Sequence, residues 1–317
     1  MPKAIPARYL RLTLASLLIV SLTDCIAVGK VQSSRNTALV TGDDAITIAS
    51  FDFPESRLLS EIYAQALESE GFRVKRAFGL GPRELVEPAL EAGLVEFVPE
   101  YLGTALQFQM RGMAETSNDA EAEHRALVAA VNGRGIAVLA SSPAQDSNGL
   151  AVTARTAAEY HLKTISDLKT VAAQLVLGGP PECPGRPLCL PGLQTTYGLT
   201  FERFEPLDAG GPITVAELAS GLIDVAVLFT TDWQIQAKGF VLLDDDLGLQ
   251  PAENVTPVVR EEILARYGSP FSDVVDSVSS KLTTRGLADL NGMVSRNTGT
   301  LEAVAAGWLH SNGFAQD

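Results

Sequence analysis

Ala89-Leu90-Glu91-Ala92-Gly93-Leu94-Val95-Glu96-Phe97-Val98-Pro99-Glu100-Tyr101 and Glu217-Leu218-Ala219-Ser220-Gly221-Leu222-Ile223-Asp224-Val225-Ala226-Val227-Leu228-Phe229 are two versions of one pattern. Each reads as the last turn of a helix, a glycine stop, a short strand and an aromatic. Glycine ends a helix because it takes the left-handed backbone there without a Cβ clash. In each copy an acid lies three residues after the glycine and the aromatic eight after it. Hydroxyl residues follow closely: Thr104 in the first copy, Thr230 and Thr231 in the second. The pattern predicts two α/β units, each presenting an aromatic at the carboxyl end of a strand. Ligands of open α/β sheets bind at that end. Two such ends facing each other make a cleft between two lobes.

Working outward, Ile46 to Phe51 alternates as a first strand. Asp52-Phe53-Pro54-Glu55-Ser56 opens a helix, with proline early in its first turn, and Gly71 closes it. Phe72 to Phe78 is a second strand, and the helix running to Gly93 leads into the first copy. Phe53 therefore falls at the same sheet edge as Tyr101. Strand alternating with helix predicts a mainly parallel sheet. The polar stretch from Ser141 to Gly149 reads as a crossover to a second lobe, and Asn254 to Val259 as the return. Four helices between Glu261 and Asn312 pack back on the first lobe. The expected organisation is a signal peptide and tether over 1–40, lobe I over 41–146 with 255–317 returning to it, and lobe II over 147–254.

Length and composition agree. A chain of 317 residues fits about two domains, and 46% hydrophobic residues supply packed cores. A net charge of −14 argues against nucleic acid, whose backbone is held by clustered Lys and Arg. Lys3, Arg8 and Arg11 precede the apolar run Leu12 to Leu22, which has the form of an export signal and is too short to span a bilayer. Cys25 follows it as in a bacterial lipobox, although Asp24 fills a slot that normally holds Gly or Ala. Lipidation of Cys25 would anchor the exported chain at the outer face of the cytoplasmic membrane. The alternative is a cleaved signal and a periplasmic chain without lipid. Cys183 and Cys189 remain, in a proline-rich loop. An oxidising compartment permits a disulfide between them. Metal binding is the competing reading, and two cysteines without a second Cys or His pair make a poor zinc site.

Catalytic signals are weak. His124, His161 and His310 stand singly, and no GxSxG, HExxH or P-loop occurs. Asp244 to Asp246 read as a solvated turn rather than a cation site. No enzyme activity, cofactor or metal is implied. Binding signals are better. Phe53, Tyr101 and Phe229 are predicted at strand ends around one cleft, with core packing the alternative for each; aromatic faces attract cations, quaternary ammonium groups above all. Thr104, Asp146, Asn148, Pro181, Glu182, Thr230 and Thr231 stand ready around them as further contacts to a small solute.

The stretches FDFPESRLLSEIYAQALESEGF, RELVEPALEAGLVEFVPEYLGT, SSPAQDSNGLAVT, GGPPECPGRP and DVAVLFTTD, in this order, resemble the substrate-binding proteins of osmoprotectant ABC importers. These are the ProX/OpuC-type glycine betaine, choline and carnitine binders. The resemblance implies a two-lobed type II periplasmic-binding-protein fold with two hinge crossovers. It also implies a solute held between the lobes, and permease and ATPase subunits as partners. Tyr101 of PEYLGT matches a tyrosine of the family's aromatic cage. Phe229 stands where many members have tyrosine, and Asn148-Gly149 stand where a further tyrosine is common. The resemblance thus implies a cage with fewer hydroxyls and less contact area. The competing functions are the same fold binding a different small solute, bulkier or less cationic, in the thinned cage, a ligand sensor on that fold, and a lipoprotein hydrolase.

Overall fold

The computed structural model describes residues 45–314 apart from 116 and 297. The expected signal, tether and Cys25 lie outside the described residues. The first elements are β1 (Ile46–Ala49), α1 (Pro54–Ser69), β2 (Val74–Ala77), α2 (Arg83–Glu91), β3 (Phe97–Tyr101), α3 (Leu102–Gln109), α4 (Ala120–Val131) and β4 (Ile136–Val138). After a crossover come β5 (Asn148–Thr153), α5 (Ala154–Tyr160), β6 (Val176–Gly179), α6 (Leu190–Tyr197), β7 (Arg203–Pro206), α7 (Pro212–Ser220), β8 (Val225–Phe229), α8 (Trp233–Lys238) and β9 (Phe240–Leu243). The chain returns as β10 (Val255–Arg260) and continues through α9 (Glu261–Tyr267), α10 (Ser269–Lys281), α11 (Thr284–Ser295) and α12 (Leu301–Ser311).

Two five-stranded sheets result, ordered β2-β1-β3-β10-β4 and β7-β6-β8-β5-β9. The repeated strands β3 and β8 hold the same third place. Each pairs in parallel with the strand on one side (β1 or β6) and antiparallel with the strand that has just crossed from the other sheet (β10 or β5). Each sheet is therefore mixed: one crossing strand runs against the rest. The glycine stops behave as the pattern requires, with φ of +70° at Gly93 and +77° at Gly221.

Each sheet carries its own core. In the first, Leu58, Leu59, Ile62 and Tyr63 of α1 are fully buried together with Phe97 of β3 and Phe271 of α10. In the second, strand alternation divides the apolar residues between two faces. Leu150, Val152, Val225 and Val227 face one cluster, while Ala151, Ala226 and Leu228 face the other.

The two crossings run side by side. The Asp146 N–H donates to Glu253 O at 3.0 Å and the Val255 N–H to Ala144 O at 2.9 Å. α3, a helix absent from the sequence reading, starts directly from Tyr101 and bonds to the return crossing. Leu102 N–H donates to Asn254 O and Gly103 N–H to Ala252 O, both at 3.1 Å. A Cβ on Gly103 would lie 2.1 Å from Cγ of Pro251 and 3.2 Å from Ala252 O. Gly103→Ala should therefore lower stability by about 1–3 kcal/mol, the ordinary cost of overpacking, measured as a lower urea midpoint at unchanged m-value.

Candidate functional site

A cavity of about 510 Å³ lies between the carboxyl ends of the two repeated strands. Tyr101 closes β3, Phe229 closes β8, and Phe53 sits just before α1, so three elements bring their rings to one wall. The ring centres of Phe53 and Tyr101 are 5.9 Å apart and those of Phe53 and Phe229 5.2 Å. Phe51 stacks behind Phe53 at 5.9 Å. These separations are normal for packed aromatics, so the rings form adjoining panels of one aromatic surface. On β5, Asn148 pairs directly opposite Phe229.

The floor is ionic. Arg83, the first residue of α2, donates to both carboxylate oxygens of Glu100 at 2.8 Å and to Thr104 Oγ1 at 2.9 Å. The Arg83 guanidinium also lies 5.0 Å from the centre of the Phe51 ring. Burial alone would raise the Glu100 carboxyl; the Arg83 charge and its hydrogen bonds outweigh burial and hold it low. Beside it, Glu253 of the return crossing accepts from Thr104 N–H at 3.1 Å and from Thr104 Oγ1 at 3.3 Å. Burial pushes Glu253 up to about 8, against the pull of the Thr104 N–H and of Arg83.

The side wall joins the two sheets. Glu55, in the first turn of α1, accepts from Tyr101 OH at 2.8 Å, Thr231 Oγ1 at 2.5 Å and Asn291 Nδ2 at 2.5 Å. Asp146 accepts from Thr231 N–H at 3.0 Å and Thr230 Oγ1 at 3.2 Å. Burial first, then the nearby Glu55 charge, raise the Asp146 carboxyl well above its ordinary range. At the rim, a disulfide joins Cys183 and Cys189. The loop it closes carries Arg186, which donates to the Glu84 carboxylate at 2.8 and 3.2 Å across the cleft and pairs with Glu182 at 3.1 Å. Trp233 of α8 packs on Gly292 of α11, with Arg296 5.0 Å from its ring centre.

Of the residues singled out in the sequence, Phe53, Tyr101, Thr104, Asp146, Asn148, Glu182 and Phe229 line the cavity, and both Cys183 and Cys189 border it. Pro181, Thr230 and Thr231 do not. Pro181 is exposed on the outside of its turn while Pro180 takes the wall. The chain turns away after Phe229, so the two threonines bond the side-wall carboxylates instead. Asp245 and Asp246 organise their own turn: Asp245 accepts from Tyr197 OH and from the Leu249 and Gln250 N–H groups, and Asp246 from Ser166 N–H. His124 is half-buried and bonds Leu139 O rather than standing free on the surface. Glu55, Arg83, Glu100, Glu253 and Asn291 were not legible as a group. An arginine opening α2 and an acid beside Tyr101 were local hints, whereas nothing near Asn291 marks it.

Residues 44–311 match the OpuAC family, the substrate binding domain of ABC-type glycine betaine transport systems. The chain belongs to this family. It is 28% identical over 285 residues to the glycine-betaine-binding protein of Pseudomonas aeruginosa, covering 86% of this chain and 90% of that protein. It is 26% identical over 270 residues to the ergothioneine transport permease/ergothioneine binding protein EgtU of Helicobacter pylori, 85% of this chain and 48% of that one. Among solved structures, the crystal structure of a glycine betaine/carnitine/choline ABC transporter protein superposes with a TM-score of 0.68 at 22% identity, over 85% of this chain and 99% of that one. The fold is thus that of the two-lobed binding proteins, and the chain is a solute-binding component that works with a permease. Among the described residues no helix is long and apolar enough to cross a membrane.

The pH behaviour of Glu253 gives a test of this floor. A carboxyl that titrates near 4.3 unfolded keeps its proton longer when folded, so the stability it contributes is full below that value and is lost as pH rises towards about 8. Urea midpoints should fall across that window, and Glu253→Gln, which cannot ionise, should flatten the fall.

Proposed function

We propose that the chain is the extracytoplasmic receptor of an ABC importer and that it captures a small solute carrying a quaternary ammonium group, of the glycine betaine, choline or carnitine kind. The observation that carries this reading is the meeting of Phe53 and Tyr101 from one lobe with Phe229 from the other. A quaternary ammonium has no N–H to donate, so an aromatic surface is the partner that recognises its charge and its methyl groups together. The relatives named for glycine betaine and for ergothioneine point the same way, since both compounds carry a trimethylammonium group. Because contacts come from both lobes, the solute favours the state in which the lobes meet, in proportion to what it gains there. The permease then receives the loaded form. Cys25 carries the lipid that holds the receptor at the outer face of the membrane in this reading, and a C25S variant should leave the membrane fraction in the native host.

Titration of the purified protein, freed of retained ligand, with glycine betaine, choline, carnitine and proline betaine tests the reading by calorimetry. Binding in the micromolar range corresponds to about −8 kcal/mol. Tyr101→Ala and Phe229→Ala should each weaken it about tenfold, the order of one desolvated cation–π contact. Trp233 reports the lobes' approach. With Trp308→Phe it is the single tryptophan of the two in the chain, and its emission should shift on saturation. Unchanged affinity in both alanine variants would sink the assignment.

A further inference from the structure

The cavity is larger than an aromatic cage requires. Its volume of about 510 Å³ lies in the range that encloses drug-sized ligands. One wall is α3 and its C-terminal end: Thr104 and Phe108 stand one turn apart on the helix, and Arg111, just past the helix end, lines the same cavity. At 1.5 Å of rise per residue the helix runs about 8 Å from Thr104 to its last residue, Gln109, away from Tyr101, and Arg111 lies beyond that end.

Arg111 is unusual in two ways. It holds a left-handed backbone, φ 53°, at the residue after the α3 C-cap. Its N–H donates to Phe108 O at 3.0 Å and the Gly112 N–H to Gln107 O at 2.8 Å, the paired bonds that close a helix on a left-handed residue. Glycine fills that position without steric cost, and a Cβ does not. Strained residues of this kind gather at ligand clamps. Second, the other arginines lining the cavity are paired: Arg83 with Glu100, Arg134 with Glu91, Arg186 with Glu84 and Glu182. Arg111 has no carboxylate partner among the described residues.

We propose that the solute is an elongated zwitterion, with its quaternary ammonium on the Phe53–Tyr101–Phe229 surface, an apolar middle along Phe108 and an anionic end on Arg111. This rests on the cleft being a quaternary ammonium site. Glycine betaine, with one methylene between nitrogen and carboxylate, cannot span that wall.

Calorimetry with trimethylammonium carboxylates bearing one to five methylenes between the charges tests the proposal, on wild type, Arg111→Gly and Arg111→Gln. Wild type should prefer the four- and five-methylene members over glycine betaine by about tenfold or more, and that preference should shrink towards unity in both variants. The unliganded Arg111→Gly protein should also melt at a higher temperature, because glycine relieves the left-handed strain. An optimum at glycine betaine, with both variants showing the wild-type profile, would overturn the proposal and leave the quaternary ammonium reading standing. Failure of every member to bind wild type would remove that reading as well. A lower melting temperature with uniform loss across the series would make Arg111 a structural residue and overturn the proposal.

Discussion

Glu55 is an acid taken out of water and surrounded by donors. It is 4% exposed, and its two oxygens accept from Tyr101, Thr231 and Asn291. A buried carboxylate without such partners would cost several kcal/mol, and that penalty makes the arrangement mandatory rather than decorative. Tyr101 and Asn291 belong to the elements of the first sheet, and Thr231 follows the last residue of β8 in the second. Satisfying one side chain therefore fixes where the halves meet. It also fixes the Tyr101 ring, because its hydroxyl is one of the donors. The aromatic surface, the Trp233 contact with α11 and the neighbouring Asp146 all take their places around that point.

The architecture was readable because it is written locally. Period-two apolar runs, Gly93 and Gly221 as stops, and the spacing from each glycine to Tyr101 or Phe229 depend on residues a few positions apart. Backbone geometry alone then carries the aromatics to strand ends. The polar framework was not readable, because it is written across distance: Glu55 and Asn291 are 236 positions apart, and Thr104 and Glu253 are 149. No local pattern announces such pairs. The helix α3 escaped notice for a different reason. Its residues, LGTALQFQ, are buried on more than one side, so they lack the polar face that periodicity needs. Thr230 and Thr231 lie in the expected neighbourhood, but the chain turns after Phe229 and takes their hydroxyls to the side-wall carboxylates, a direction no local pattern reveals.

In the proposed reading the cleft combines two kinds of recognition that do not compete. Aromatic panels would act on charge without demanding directed hydrogen bonds. The ionic floor is already internally paired, with Arg83 spent on Glu100, so a second group on the solute meets little free charge there. Specificity is then shaped by what remains unpaired and by where the walls lead. The rim works separately: the Arg186 bridge to Glu84 is partly exposed and contributes modestly to energy, while it sets how closely the two edges approach.

The matching order of the two sheets has a consequence for the direction in which a guest lies. Tyr101 and Phe229 occupy corresponding places at the ends of β3 and β8, so the main chain offers a guest much the same frame from either side. Only side chains tell its head from its tail. The phenol on one side and the plain ring on the other, with acids gathered behind the first, supply that polarity. Reversing a guest in such a receptor would require exchanging a handful of side chains between equivalent positions, with no change of fold, and this gives one scaffold a short route to solutes of quite different outline.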